Sequence, residues 1–331
     1  MIVKPYLKEN HRTPVRLLEI THREVGIRLD RFLKEQWPDA PLSLIQKLLR
    51  TGQVRVNSKR KKGNHRLQMG EQVRLPPLTL PPASKAASEG RCPAGMVREV
   101  AGRILYRDDS LLVLNKPAGM AVHGGSKQRW GAVDAVRDYM ALEGAGGKES
   151  LPELCHRLDR DTSGCLLFGL GKYATRTLTA AFREGTLTKG YLALVKGRPH
   201  PARGVIDKPL QKGVVRAGER MVVTTRKGEG QEARTHYETE RIFTSASLVS
   251  VTLETGRTHQ IRAHFQAIGC PVVGDGKYGD RHFNQQMKSQ GVARLFLHAS
   301  HLVINHPEKN KKIEILAPLD PVLKKSLDRL Q

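Results

Sequence analysis

The sequence predicts an α+β protein: a small α/β unit ahead of a larger domain built on a mixed, largely antiparallel sheet. Three observations predict it. Beyond residue 103, short apolar runs alternate with turn residues, and candidate strands outnumber candidate helices without regular β–α alternation. From Pro76 to about Gly102 the composition shifts to Pro, Ala, Ser and Gly, with Pro-Pro pairs at 76–77 and 81–82, as in a linker. Ahead of that stretch, apolar residues recur at helical spacing and then give way to two short strand-like runs. A chain of 331 residues can bury more than one core. The expected organisation is an arm over 1–20, a first domain over 21–76, a linker over 77–102 and a second domain over 103–331.

In the first domain, Ile27, Leu29, Phe32 and Leu33, then Leu44, Ile45, Leu48 and Leu49, mark two helices. Trp37-Pro38-Asp39-Ala40-Pro41 separates them, Ser43 is placed to cap the second, and Gly52 ends it. Val54–Asn57 and Glu71–Leu75 read as strands. In the second domain, Arg103–Tyr106 and Leu111–Leu114 flank Asp108-Asp109 as a hairpin. Helices are expected over Ala132–Leu142 and Tyr173–Glu184, with a break at Gly144–Gly147. Strands are expected over Tyr191–Val195, Ala233–Glu240, Leu248–Leu253, Phe296–Ile304 and Lys312–Leu316, and a closing helix over Pro321–Leu330. The segment Arg257–Gly269 puts Ile261, Phe265 and Ile268 on one helical face, leaving Arg257, Arg262 and His264 off it.

Charge narrows the partners. Fifty-six Lys and Arg residues stand against 32 Asp and Glu, a formal net charge of +24, which predicts a polyanionic partner and nucleic acid first. Aromatic residues make up only 5%, so a folded RNA gripped through phosphates fits better than a strand held by continuous base stacking. Between Leu44 and Arg66, Lys47, Arg50, Arg55, Lys59, Arg60, Lys61 and Lys62 occur with no acidic residue among them, an electrostatic footprint for phosphates. The plain reading of the same run is a solvated basic face. Residues 1–20 are neither signal peptide nor span, and no window approaches the ~20 apolar residues of a membrane helix. Cys92, Cys155, Cys165 and Cys270 form no C-x-x-C pair and are read as reduced thiols of a cytoplasmic protein.

The chain is organised around Cys155-His156-Arg157-Leu158-Asp159-Arg160-Asp161-Thr162-Ser163-Gly164. Its Asp-Thr-Ser-Gly ending is turn chemistry, which places Asp159 at the end of an extended segment, with a buried strand from Cys165. Neighbouring arginines favour an ionised carboxylate, which then serves as nucleophile or as general base. Taken alone, these residues are better described as ion pairs that fasten a surface turn. On the far segment, Arg257 or Arg262 could reach a carboxylate of a neighbouring element.

The run His156–Gly164 resembles the catalytic motif of the RluA-type pseudouridine synthases. Four further stretches resemble that family in the order it uses them: Leu112–Gly119 with Val122-His123, Thr188–Val195, Thr255–Arg262 and Arg294–Ala299. Within the family the similarity is closest to the RluC-like branch, which acts on large-subunit (23S) ribosomal RNA. Arg28–Leu33 and Gly52–Asn57 resemble the S-four RNA-binding domain, which grips structured RNA. The resemblance implies a pseudouridine synthase catalytic domain, isomerisation of uridine in 23S ribosomal RNA or a large-subunit assembly intermediate, no metal or other cofactor, and a monomer. By the same resemblance Asp159 is the catalytic aspartate, Arg262 the arginine that pairs with it and Tyr191 the active-site tyrosine. Arg157 is the arginine that can enter the RNA as the base leaves, and Leu297 is an apolar pocket residue. Cys155 departs from the pattern, standing where a branched apolar residue is usual.

Two signals are set aside. Gly274–Gly279 satisfies G-x-G-x-x-G but follows no full strand and precedes no acid-ended second strand, so it is not read as a dinucleotide site. His298, His301 and His306 lack a histidine–carboxylate set with metal spacing. Two rival functions stay open at this level. One is a non-catalytic RNA-binding ribosome-assembly factor. The other is a nucleosidase pairing Asp159 with Asp161, although residues two apart are poorly placed to flank a sugar.

Overall fold

A computed structural model of the chain describes residues 14–22, 24–37, 40, 42–78, 91–125, 128–144, 151–216 and 219–330. It divides into two units between Gly90 and Arg91. In the first, a three-stranded antiparallel sheet of β1 (Arg16–Glu19), β3 (Gln72–Leu75) and β2 (Arg55–Val56), in that order, accompanies α1 (Leu29–Gln36) and α2 (Leu42–Thr51). Leu29, Phe32 and Leu33 of α1 and Ile45, Leu48 and Leu49 of α2 are all buried, as the i, i+3, i+4 spacing requires, and share a core with Val56, Val73 and Leu75. The arm expected over 1–20 is corrected in part. Arg16–Glu19 pairs with Gln72–Leu75, because Leu18 packs against this core and Ile20 is buried in it. Residues 1–13, the Ser43 side chain and residues 79–90 of the expected linker lie outside the described residues.

The second unit runs through α3 (Ala94–Ala101), β4 (Ile104–Arg107), β5 (Leu111–Lys116), α4 (Ala132–Leu142), β6 (Pro152–Leu154), β7 (Ser163–Leu170), α5 (Lys172–Glu184) and β8 (Thr188–Lys196). It continues with β9 (Arg203–Asp207), β10 (Leu210–Arg216), β11 (Glu219–Thr224), β12 (Arg234–Ile242), β13 (Ala246–Leu253), α6 (Gln260–Ala267), α7 (Arg281–Ser289), β14 (Leu297–Asn305), β15 (Lys312–Leu316) and α8 (Pro321–Arg329). Ten strands form one sheet in the order β4-β5-β7-β14-β8-β13-β12-β9, with β6 on β7 and β15 on β14; β10 and β11 pair as a separate hairpin. Every described pairing is antiparallel except β7 with β14, so the expected mixed, largely antiparallel sheet is what the chain forms. The linker expected over 77–102 is corrected at its end. Residues 94–101 are α3, whose Val97 and Val100 are buried, and a Pro/Ala/Gly-rich composition hid that apolar pair.

β7 is buried along its whole length, which explains a run too apolar to alternate. Gly164 near its start has φ +108°, and a Cβ there would meet the Ala299 carbonyl oxygen at 2.2 Å. Glycine is what lets β14 come alongside β7 directly after the Asp159 loop. No helix among the described residues is long and apolar enough to cross a membrane.

Candidate active site

The strand β7 begins where the Asp159 loop ends, and β14 begins beside it, so one end of the sheet gathers the expected site. The Thr162 N–H donates to the Asp159 carbonyl at 3.2 Å, closing the tight turn that the Asp-Thr-Ser-Gly ending predicted. His156 is a local fixture. Its ring stacks on Phe182 at 4.1 Å, and its Nε2 accepts from the Leu167 N–H at 3.0 Å. Burial, helped by the Lys189 charge, pulls it down to about 3, so it stays a neutral acceptor. Asp161 is taken by a two-pronged pair with Arg160, at 2.9 and 3.0 Å, and forms no carboxylate pair with Asp159.

Asp159 pairs across the fold with Arg262 of α6: the Arg262 Nη1 donates to Asp159 Oδ2 at 2.8 Å. The same guanidinium grips Asp275 through Nε to Oδ2 at 2.7 Å and Nη2 to Oδ1 at 2.9 Å. The Asp275 side chain is wholly enclosed (0% exposed) and also accepts from the Lys277 and Tyr278 N–H groups, while Asp159 keeps 20% exposure. Burial works against both partners. The hydrogen bond and charge of Asp275 nonetheless hold Arg262 above its ordinary value, and those of Arg262 hold Asp275 below its own. The Tyr278 ring backs Arg262 at 4.9 Å from its centroid. Arg262 is thus anchored by one carboxylate and offered to another.

All five expected site residues line one recess: Asp159, Arg262, Tyr191, Arg157 and Leu297, with Leu158, Thr162, Leu253, Arg257, His259, Gln260 and Ile261. It opens to solvent and shares Arg157, Leu158, Asp159, His259 and Arg262 with a wider recess. Tyr191 lies on β8 opposite Val251, with its strand-face companions Ala193 and Val195 in the core beneath. Burial, then the Asp159 charge, raises its hydroxyl above the ordinary range, so it remains protonated. Leu297 opens β14 opposite Ala193, and Arg157 is exposed at the mouth. The basic residues Lys47, Arg50, Arg55, Lys59, Arg60 and Lys62 are exposed on the first unit and Lys61 half-buried; among the described residues none of the seven is ion-paired.

Sequence reasoning missed four residues. Asp275 and Tyr278 sit inside the rejected G-x-G-x-x-G run. Gly274 there has φ +74°, and a Cβ would strike the Arg294 carbonyl oxygen at 2.0 Å, so the glycine seats Asp275 against Arg262 and not a phosphate. His259 lies three residues before Arg262, and its signal was its place in the same motif. Lys116 is fully buried, and its ammonium donates to the carbonyls of Pro117, Met120 and Arg160 at 2.8–2.9 Å. Burial lowers it to about 7, and the three acceptors match its three protons. Lys116→Met is expected to leave the Pro117 and Met120 carbonyls unpaired, while that of Arg160 keeps the Gly119 N–H, costing about 2–4 kcal/mol and slowing turnover by loosening the loop next to Asp159. Thermal melts and single-turnover assays check both effects. His298, His301 and His306 bond separately to Ser163 and Ala317, to Glu314, and to Asp108.

The chain is similar to known proteins along most of its length. Residues 110–267 match the family model described as RNA pseudouridylate synthase. The chain is 41% identical over 317 residues to ribosomal large subunit pseudouridine synthase C of Pasteurella multocida, covering 96% of this chain and 94% of that one. It is 41% identical over 319 residues to the Escherichia coli K12 protein of the same name, covering 96% and 97%. Among solved structures it is similar to human RNA pseudouridylate synthase domain containing 4, with TM-score 0.59 and 26% identity over 72% of this chain and 97% of that one.

Proposed function

The chain belongs to the RNA pseudouridylate synthase family, and from that premise we infer that it isomerises uridine to pseudouridine in large-subunit ribosomal RNA. The observation that carries the assignment of residues is convergence: side chains from four separate segments line one recess, and Arg262 reaches the Asp159 carboxylate within it. In the reaction the N1–C1′ bond breaks, the uracil turns, and C5 bonds to C1′. The C5 proton leaves and N1 takes one up, so atoms and electrons balance without a co-reactant. Asp159 is the group that acts on the sugar, as nucleophile or as base. Arg262 aims it, Tyr191 lies beneath the uracil, and Leu297 closes the apolar side. A uridine in structured RNA must be everted, at a few kcal/mol offset by phosphate binding, and Arg157 at the mouth is placed to fill the gap it leaves.

The N-terminal unit, by this reading, is an S-four-type RNA-binding domain that holds the ribosomal RNA through Lys47, Arg50, Arg55 and Lys59 to Lys62. The enzyme acts as a cytoplasmic monomer on 23S ribosomal RNA or an assembling subunit. Purified protein is expected to release tritium from ribosomal RNA labelled at uridine C5, one tritium per pseudouridine formed. Free uracil among the products would mean a nucleosidase, and binding without tritium release would mean an assembly factor. Changing Lys59, Arg60, Lys61 and Lys62 to Ala together is expected to weaken RNA binding about 10-fold or more. The slope of log affinity against log salt should flatten by ~0.9 for each phosphate that is no longer neutralised, while the rate at saturating RNA holds. A binding titration at several salt concentrations reads this.

A further inference from the structure

We propose that His259 is a positioning residue for Asp159, held by Tyr278 in the one tautomer that presents an N–H to the carboxylate. The inference rests on Asp159 being the reacting group. Tyr278 is 1% exposed, and its hydroxyl oxygen accepts from the Val222 N–H at 2.9 Å. The hydroxyl's own proton then needs an acceptor, and among the described residues the partner at hand is His259 Nδ1, 2.8 Å away. A neutral imidazole that accepts at Nδ1 carries its proton on Nε2, and Nε2 lies 3.7 Å from Asp159 Oδ2. A doubly protonated ring would set two donors against each other across the 2.8 Å separation. Burial, foremost, and the charges of Arg262 and Lys277 also disfavour that form, against the opposite pull of Asp159 and Asp275.

Two donors, Arg262 Nη1 and His259 Nε2, thus converge on Oδ2. Among the described residues no hydrogen bond goes to Oδ1, which is left as the oxygen free to react. The 3.7 Å separation is long for a hydrogen bond, as such distances often are before substrate closes the site. His259 has φ +53° and ψ +22° at the start of α6, a left-handed conformation in which Asn, Asp and His are the commonest residues after Gly.

His259→Asn fits the turn and reaches only the Nδ1 position, whereas the amide of His259→Gln reaches the Nε2 position. His259→Asn is expected to melt at or above the wild-type temperature and to bind ribosomal RNA within about twofold, with a single-turnover rate down ~10–100-fold. His259→Gln is expected to recover most of that deficit. In ring-15N-histidine-labelled wild type, NMR is expected to show His259 as the Nε2–H tautomer, and Tyr278→Phe, which keeps the ring against Arg262, to give a mixture. A wild-type rate in His259→Asn, no recovery in His259→Gln, or an Nδ1–H tautomer in the wild type each overturns the proposal. Asp159→Asn assayed alongside keeps the two readings apart. If it stays active, Asp159 is not the reacting group; if it is dead while His259→Asn runs at full rate, only the positioning role fails.

Discussion

Asp159→Asn is expected to lower pseudouridine formation by roughly 10⁴-fold or more while leaving RNA affinity within about twofold. The substitution is nearly isosteric, so the recess keeps its shape. What goes is the charge: an amide neither attacks the sugar nor takes its proton. The fold should tolerate the change, because Arg262 keeps its two-pronged bond to Asp275 when Asp159 is neutralised. Loss of rate without loss of structure is the expected signature. Tritium release, filter binding and a thermal melt on one preparation give the three readings. Activity within tenfold of wild type would sink the assignment of Asp159, and a large fall in melting temperature would make the residue a structural ion pair.

What a sequence can reveal follows from the physics of each stretch. β7 and β8 are legible because a buried strand must be apolar, and the Asp159 turn because Asp-Thr-Ser-Gly has few other uses. The helix α7 escapes notice because only Phe283 and Met287 of its nine residues are buried. The hairpin of β10 and β11 is hidden by charges near its tip. Resemblance selects the catalytic candidates, since spacing alone leaves Arg257 and Arg262 equivalent. The structure separates them: Arg257 Nε donates to the Glu232 carbonyl, and Arg262 reaches Asp159. Asp275 is beyond sequence reasoning altogether. It lies 13 residues past its partner, and nothing local marks an acid as wholly buried until the guanidinium opposite is seen.

That partner carries the second large effect, on stability. Asp275→Asn leaves a guanidinium that is 12% exposed with Asp159 as its remaining counter-ion, and breaking such a pair from one side costs about 3–5 kcal/mol. A melting temperature lower by roughly 10 °C or more is expected. The pH dependence has a fixed sign. Arg262 outweighs burial and holds Asp275 below the ordinary carboxylate value, so its contribution is fully present above the unfolded value near 3.9 and is lost as pH falls through the lower folded value. The stability gap between wild type and Asp275→Asn should stay level above about pH 5 and close in more acid solution. Turnover, assayed well below either melting point, should fall as well, because the fork that aims Arg262 at Asp159 is left without its base. A double change, Arg262→Met with Asp275→Leu, separates the two roles. Apolar side chains of similar size remove both buried charges and should restore part of the stability, limited by the unpaired N–H groups of Lys277 and Tyr278. The rate should not return, since no donor on Arg262 then aims the Asp159 carboxylate in the recess. Should the double variant regain turnover, or Asp275→Asn melt like wild type, Arg262 would not be the brace on which the catalytic carboxylate depends.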